Sequence, residues 1–158
     1  MMKKIILMAF FLLLGIKVFC QGGVNFEHLT FDEALLKART ENKLVFVDCY
    51  TSWCGPCAQM MKVIFPQEKV GKFFNQRFIS LKVDMEKGEG PELKKRFGVR
   101  AYPTFLVIRP DGSLQHRATG ANDDADAFIA SIVRGLNPKT SYEYLSKTYE
   151  TGKISKKD

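Results

Sequence analysis

Two cysteines two residues apart, Cys54 and Cys57 within Trp53-Cys54-Gly55-Pro56-Cys57, are the residues whose types and spacing could do chemistry in this chain. Set where a strand hands over to a helix, such a pair can close and reopen one disulfide. Gly55 would allow a tight turn, and Pro56, which lacks an N–H, suits the first turn of a helix, so Cys54 is expected at a helix N-terminus. Unpaired backbone N–H groups and the helix dipole favour a negative charge there by roughly 0.3 to 2 kcal/mol, or up to about 1.5 units of thiol pKa. Cys54 is thereby expected as the nucleophile and Cys57 as the resolving thiol. The competing use of a Cys-x-x-Cys is half a zinc site, which needs two further ligands at suitable spacing. His28, His116 and Cys49 form no second paired motif and Pro56 stiffens the loop, so neither a metal nor another cofactor is expected.

The segments that position this pair follow from length and patterning. At 158 residues the chain has room for one domain plus extensions, and 46% hydrophobic with 26% charged residues is ordinary for a globular protein. Lys3-Lys4, the apolar run Ile5 to Leu14, and Gly15 to Cys20 match the three regions of a secretory signal. Residues 1–20 are therefore expected to be removed on export to a periplasmic or other extracytoplasmic space. A lipid anchor on Cys20 is the alternative, against which bulky Phe19 and charged Lys17 argue. Lys3, Lys4 and Lys17 would leave with the signal, and the remaining basic residues are interleaved with acidic ones without a base-reading motif. Nucleic acid is thus not an expected partner. The cysteines that remain are too few for a stapling framework, so the pair reads as catalytic rather than structural.

Along the chain, Thr30 followed by Glu33 is a capping-box signature for a helix to about Asn42. Leu44 to Tyr50 is a continuous apolar run interrupted by Asp48, the pattern of a central strand covered on both faces, with the cysteines just past its carboxyl end. A helix from Pro56 carries Met60, Met61, Ile64 and Phe65 until Pro66 bends or ends it, before a second piece with Val70, Phe73 and Phe74. Phe78 to Asp84 is the next strand, reached by a parallel crossover. A polar loop and a short helix, Glu92 to Phe97, precede an antiparallel hairpin of Thr104 to Arg109 and Leu114 to Thr119 around Pro110-Asp111-Gly112-Ser113. Asn122 is expected to cap a helix whose stripe is Ala125, Phe128, Ile129, Ile132, Val133 and Leu136. Ser141 to Gly152 has Tyr142, Leu145 and Tyr149 at helical spacing, and such a short helix either docks or frays. His28 and His116 read as surface or loop residues, and Cys49 as an inert buried thiol.

Asp48 lies six residues before Cys54, Tyr102-Pro103-Thr104 precedes a strand, and Gly120 follows the hairpin. On these positions and the Cys pair, Phe31 to Leu136 resembles a thioredoxin-fold domain of the exported thiol-disulfide oxidoreductase branch. Phe65-Pro66 through Val70 and Val83-Asp84-Met85-Glu86-Lys87 are similar to periplasmic members, including the terminal domain of the membrane reductase that carries electrons outward. The resemblance implies an α/β fold with a central mixed sheet and helices on both faces over residues 21–138; the tail, 139–158, is expected from its own spacing and polarity to be helical and then disordered. It also implies that Asp48 relays a proton from Cys57 and that the Tyr102–Pro103 bond is cis, facing the Cys pair. Two departures stand out: Ala58 replaces the usual Lys after the second Cys, and Ser80 replaces the Lys near the buried acid, with Lys82 on the same strand face.

A carboxylate inside Leu44 to Tyr50 is costly to bury unless it has a task, and burial would raise its pKa. Asp48, Cys54 and Cys57 are accordingly the expected catalytic residues, with Trp53, Gly55, Pro56, Tyr102 and Pro103 as the expected substrate contacts. The expected function is an exported reductase of protein disulfides, monomeric and re-reduced by a membrane-embedded electron donor. The alternatives are a disulfide isomerase or oxidase, or a non-catalytic peptide-binding module.

Overall fold

The computed structural model describes residues 22–137 and 139–151. The expected signal segment 1–20 and the tail from Lys153 to Asp158 lie outside the described residues. Helix α1, Phe31–Glu41, starts at the capping box: Thr30 Oγ1 accepts from the Glu33 N–H while the Glu33 carboxylate accepts from the Thr30 N–H. It stops at Asn42, which adopts the left-handed conformation that Asn tolerates better than most residues. Strand β1, Leu44–Tyr50, follows at once and occupies the middle of the sheet. It pairs in parallel with β2, Phe78–Asp84, and antiparallel with β3, Thr104–Ile108. Strand β4, Leu114–Thr119, closes a hairpin on β3, giving the order β2-β1-β3-β4.

Alternation along β1 sends its side chains to two different layers. Val45, Val47 and Cys49 face α1 and α4, Gly90–Phe97, in an aliphatic layer with Leu81 and Leu106. Phe46 faces an aromatic layer built with Phe65, Phe74, Phe105 and Phe128, whose rings meet at centroid distances such as 4.7 Å for Phe46–Phe74 and 5.0 Å for Phe105–Phe128. That layer is roofed by α2, Gly55–Gln59, a π turn over Met60–Ile64, α3, Glu68–Arg77, and α5, Ala125–Leu136. Burying each of these phenylalanines contributes roughly 1.5 to 3 kcal/mol. Helices on both faces of a mixed four-stranded sheet make this the α/β architecture expected from the sequence.

The structure corrects the sequence reading in several places. Helix α5 is capped by Asp124, whose carboxylate accepts from the Ala127 N–H, whereas Asn122, two residues earlier, accepts from the Asp124 N–H. Both are good capping residues, and the choice between them is set by where the chain leaves the sheet. Val133 is 43% exposed, and its expected place in the stripe goes to Gly135, which lies against the His116 ring. His116 is thus buried on β4 rather than a surface residue. Helix α4 starts at Gly90, two residues earlier than expected, with Pro91 in its first turn, and the backbone at Gly90 comes so close to the Asp84 carbonyl that only glycine fits there. The helix after the cysteines passes through a π turn, with the Phe65 N–H donating to Met60 O, before Pro66 ends it. Helix α6, Tyr142–Glu150, docks on β4 through its first turn, yet Tyr142, Leu145 and Tyr149 remain 44, 43 and 48% exposed.

Candidate active site

Cys54 and Cys57 are joined by a disulfide at the junction of β1 and α2, with Cα atoms 5.3 Å apart. Cys54 is the N-cap of α2, and its Sγ accepts a hydrogen bond from the Cys57 N–H at 3.1 Å. A side-chain oxygen usually fills this role, so the sulfur sits where the helix start offers its unpaired N–H groups. Both cysteines are buried, at 6 and 3% exposure. Pro56 falls in the first helical turn as expected. The expectation for Gly55 is corrected: it has no positive φ, and a Cβ there would meet nothing, so the turn does not require glycine.

Asp48 projects from β1 on the aromatic side, the side roofed by the helix that carries Cys57. It is 1% exposed, and neither carboxylate oxygen has a hydrogen-bond partner in the protein. Burial pushes its pKa up to about 7, against the weaker attraction of Lys82, which lies directly across the β1–β2 ladder. The ladder thus answers the question left by Ser80: that residue pairs with Phe46 and is buried, while the cation facing the acid is Lys82. Lys82 is exposed, and its Nζ sits 4.5 Å from the Tyr50 ring centroid. Cys49, the next residue, points into the aliphatic layer, where burial and the neighbouring Asp48 drive its thiol pKa far upward and leave it inert.

A cavity of about 270 Å³ opens beside the disulfide, lined by Thr51, Cys54, Cys57, Met61, Lys62 and Lys82 among others. Lys62 was not singled out from the sequence. It stands one helical turn beyond Ala58, and that i+4 spacing was the available signal that a nearby residue could replace the missing Lys. On the opposite side, Trp53 is 68% exposed; its Nε1 donates to Glu86 at 3.1 Å and its ring meets Tyr102 edge-on at 5.8 Å. The Tyr102–Pro103 peptide is cis, and Pro103 O accepts from the Gly120 N–H at 2.9 Å, tying the loop before β3 to the end of the hairpin. Thus Trp53, Tyr102 and the Cys pair share one rim, whereas Asp48 lies beneath it. Glu86, which holds the indole, was also missed, because nothing local marks a carboxylate that acts on a ring thirty-three residues away.

With this geometry in place, the thioredoxin family profile matches residues 24–134. A solved structure from Bacteroides thetaiotaomicron, provisionally named a disulphide-isomerase, is 47% identical and superposes with a TM-score of 0.67, covering 73% of this chain and 95% of that one. Thioredoxin-1 of Drosophila melanogaster is 30% identical over 60% of this chain and 83% of its own length. The thiol:disulfide interchange protein DsbD of Pseudomonas fluorescens is 37% identical over 61% of this chain, a stretch that makes up 17% of that larger protein.

Proposed function

The chain belongs to the thioredoxin family, as a thiol-disulfide oxidoreductase with a Cys54–Cys57 pair, and from that premise we propose that it is an exported, monomeric reductase of protein disulfides. The observation that carries this reading is the Cys54 sulfur held at a helix start by the Cys57 N–H, with Asp48 buried in the layer below. In the dithiol form, Cys54 thiolate attacks one sulfur of a substrate disulfide and displaces the other as a thiolate, giving a mixed disulfide. The Asp48 carboxylate then takes the Cys57 proton, through water. Cys57 attacks Cys54 Sγ and expels the second substrate thiol. The substrate has gained two electrons and the protein is left as the Cys54–Cys57 disulfide. An acid with a pKa near 7 suits this task, since it is part ionised and still basic at neutral pH. Trp53, Gly55, Pro56, Tyr102 and Pro103 form the rim against which the substrate chain lies.

The reducing direction is supported by the Gly55-Pro56 dipeptide and by the similarity to a stretch of DsbD. The last also supports a membrane-embedded electron donor. Export rests on the signal pattern in residues 1–20, which makes residues 21–138 the mature domain and 139–158 its tail; among the described residues no helix is long and apolar enough to cross a membrane. Equilibrating the purified domain with glutathione buffers tests the direction. A potential well below about −200 mV is expected, and one near the −120 mV of a strong periplasmic oxidant overturns it.

An isomerase is the second reading, favoured by the provisional name of the 47% identical neighbour. It requires a less reducing pair, near about −180 mV, and reactivation of a protein with scrambled disulfides.

A further inference from the structure

A second cleft, of about 680 Å³, lies next to the rim, between the end of α4 and the outer strand β4. Its size is that of a ligand site, within the range of roughly 300 to 1,000 Å³. Its charged lining is entirely basic: Lys95, Arg96, Arg100 and Arg117. None of these four is within 4.0 Å of a carboxylate among the described residues, although the ion pairs elsewhere in the fold are readily made. Two are committed to structure. Arg117 donates to the carbonyls of Phe97 and Gly98, closing the end of α4, and Arg96 donates to Gly112 O at 3.0 Å. Lys95 and Arg100 are exposed and make no such bond. A concentration of positive charge without counter-ions costs self-repulsion, which an anionic occupant would relieve.

The cleft borders the rim through the loop before β3. Ala101 and Thr104, which line it, bracket Tyr102 and Pro103, and Thr119 precedes Gly120, whose N–H is bonded to Pro103 O. A chain lying along the rim therefore enters the cleft within a few residues. We infer that this cleft receives an acidic segment of the disulfide-bearing protein partner, adjacent in sequence to the cysteine that Cys54 attacks. The inference rests on the redox reading for its partner but not for the binding itself. Acidic flanks would be steered to the cleft and held there, speeding encounter without altering the thiol chemistry.

Two measurements test this. The first compares reduction of two disulfide peptides that differ only in a flank of four Glu or four Gln. In about 20 mM salt the Glu peptide is expected to react about ten-fold faster, with the advantage collapsing near 0.5 M salt. The double variant Lys95→Glu, Arg100→Glu is expected to abolish the advantage and leave the Gln peptide unaffected. Equal rates for the two peptides, or an advantage that survives in the variant, overturn the inference. The second titrates a cysteine-free Glu-rich peptide into the oxidised protein and follows backbone amide resonances. Shifts centred on Lys95 to Ala101 and Arg117, lost in the double variant, support the site. Shifts spread over the whole surface, or equally produced by inorganic phosphate, overturn it. Failure of the redox reading would appear separately, as inertness of the Gln peptide.

Discussion

Asp48 and Cys49 are neighbours on β1, both ionisable and both hidden from solvent, at 1 and 0% exposure. They nevertheless face different layers, and their chemistry diverges accordingly. Cys49 looks into close-packed aliphatic side chains between β1, α1 and α4, where burial and the neighbouring Asp48 carboxylate outweigh the attraction of Arg117, so it stays a protonated space-filler. Asp48 looks toward the helix that carries Cys57 and has Lys82 across the ladder, which opposes its desolvation. Burial by itself makes an ionisable group reluctant to charge; burial that leaves the pKa near neutrality, on the side of the sheet that carries a reactive group, makes it a candidate for proton transfer.

The largest way to sharpen this contrast is to remove sulfur from each side of the sheet. Cys54→Ser is expected to drop disulfide reduction to the uncatalysed background, whereas Cys49→Ala stays within about two-fold of wild type, since an inert thiol adds packing alone. Cys57→Ala, which attacks but cannot resolve, should accumulate mixed disulfides on non-reducing gels that vanish when Cys54→Ser is added. Insensitivity to Cys54→Ser would remove the nucleophile assignment.

Next in size is Asp48→Asn. Loss of the base is expected to slow release of the mixed disulfide by about 10²-fold while its formation changes little, as resolved by stopped flow. The same variant carries a stability signature. Asp48 has a folded pKa raised from 3.8 to about 7, so the folded state binds the extra proton between these values. Its favourable contribution is complete below pH 3.8 and is lost as pH rises through about 7, a swing on the order of 4 kcal/mol. Urea unfolding across that window should show the fall in wild type and a flatter profile in Asp48→Asn. Equal slowing of both chemical steps would mean that the carboxyl group serves packing.

Lys82→Gln is a smaller break. Without the facing cation the Asp48 pKa moves further up, and the pH midpoint of mixed-disulfide release should rise by about half a unit to one unit. A midpoint that does not move would show that the exposed ammonium is screened by solvent.

The smallest effect concerns a third buried ionisable group, on the outer strand. His116 is held at both ring nitrogens: the Tyr142 N–H donates to Nδ1, which fixes the proton on Nε2, where it is donated to Ser131 O. Burial and the charge of Arg134 depress its pKa below 6.5, outweighing the Ser131 bond. The sign is opposite to that of Asp48: the stability contribution is full above pH 6.5 and falls as pH drops through the folded value. Protonation also forfeits the Tyr142 bond, worth about 1 kcal/mol. Helix α6 should therefore loosen in mild acid, detectable as faster amide exchange at Tyr142, and His116→Gln should remove that pH dependence.

Much of this was legible in the sequence because it is locally encoded. The capping box at Thr30, the bounds of β1 and β2, the Cys-x-x-Cys at a strand-to-helix junction and the capture of Pro56 in the first turn each need only a few neighbouring residues. The misreadings have one physical origin. Local pattern places His116 at the surface because its cover comes from Gly135 and Ser131 on α5 and Tyr142 on α6, both distant in sequence. The cap of α5 went to Asp124 because the approach of the chain to the sheet, not propensity, chose between two suitable residues.

By itself the sequence determined the order of elements, the redox pair and the buried acid, since helix periodicity, turn chemistry and a costly charge in an apolar run are properties of short stretches. Only the tertiary structure decided that Lys82 rather than position 80 faces Asp48, that Lys62 joins Lys82 in lining the cavity beside the disulfide, and that Lys95, Arg100 and Arg117 share one cleft beside the rim. Each of these depends on strand register or on the packing of a helix against a distant strand. A one-residue slip of β2 against β1 would turn Lys82 away from the acid and bring a different side chain to face it; the register is held by the hydrophobic faces that the two strands bury together, not by the residues next to Lys82.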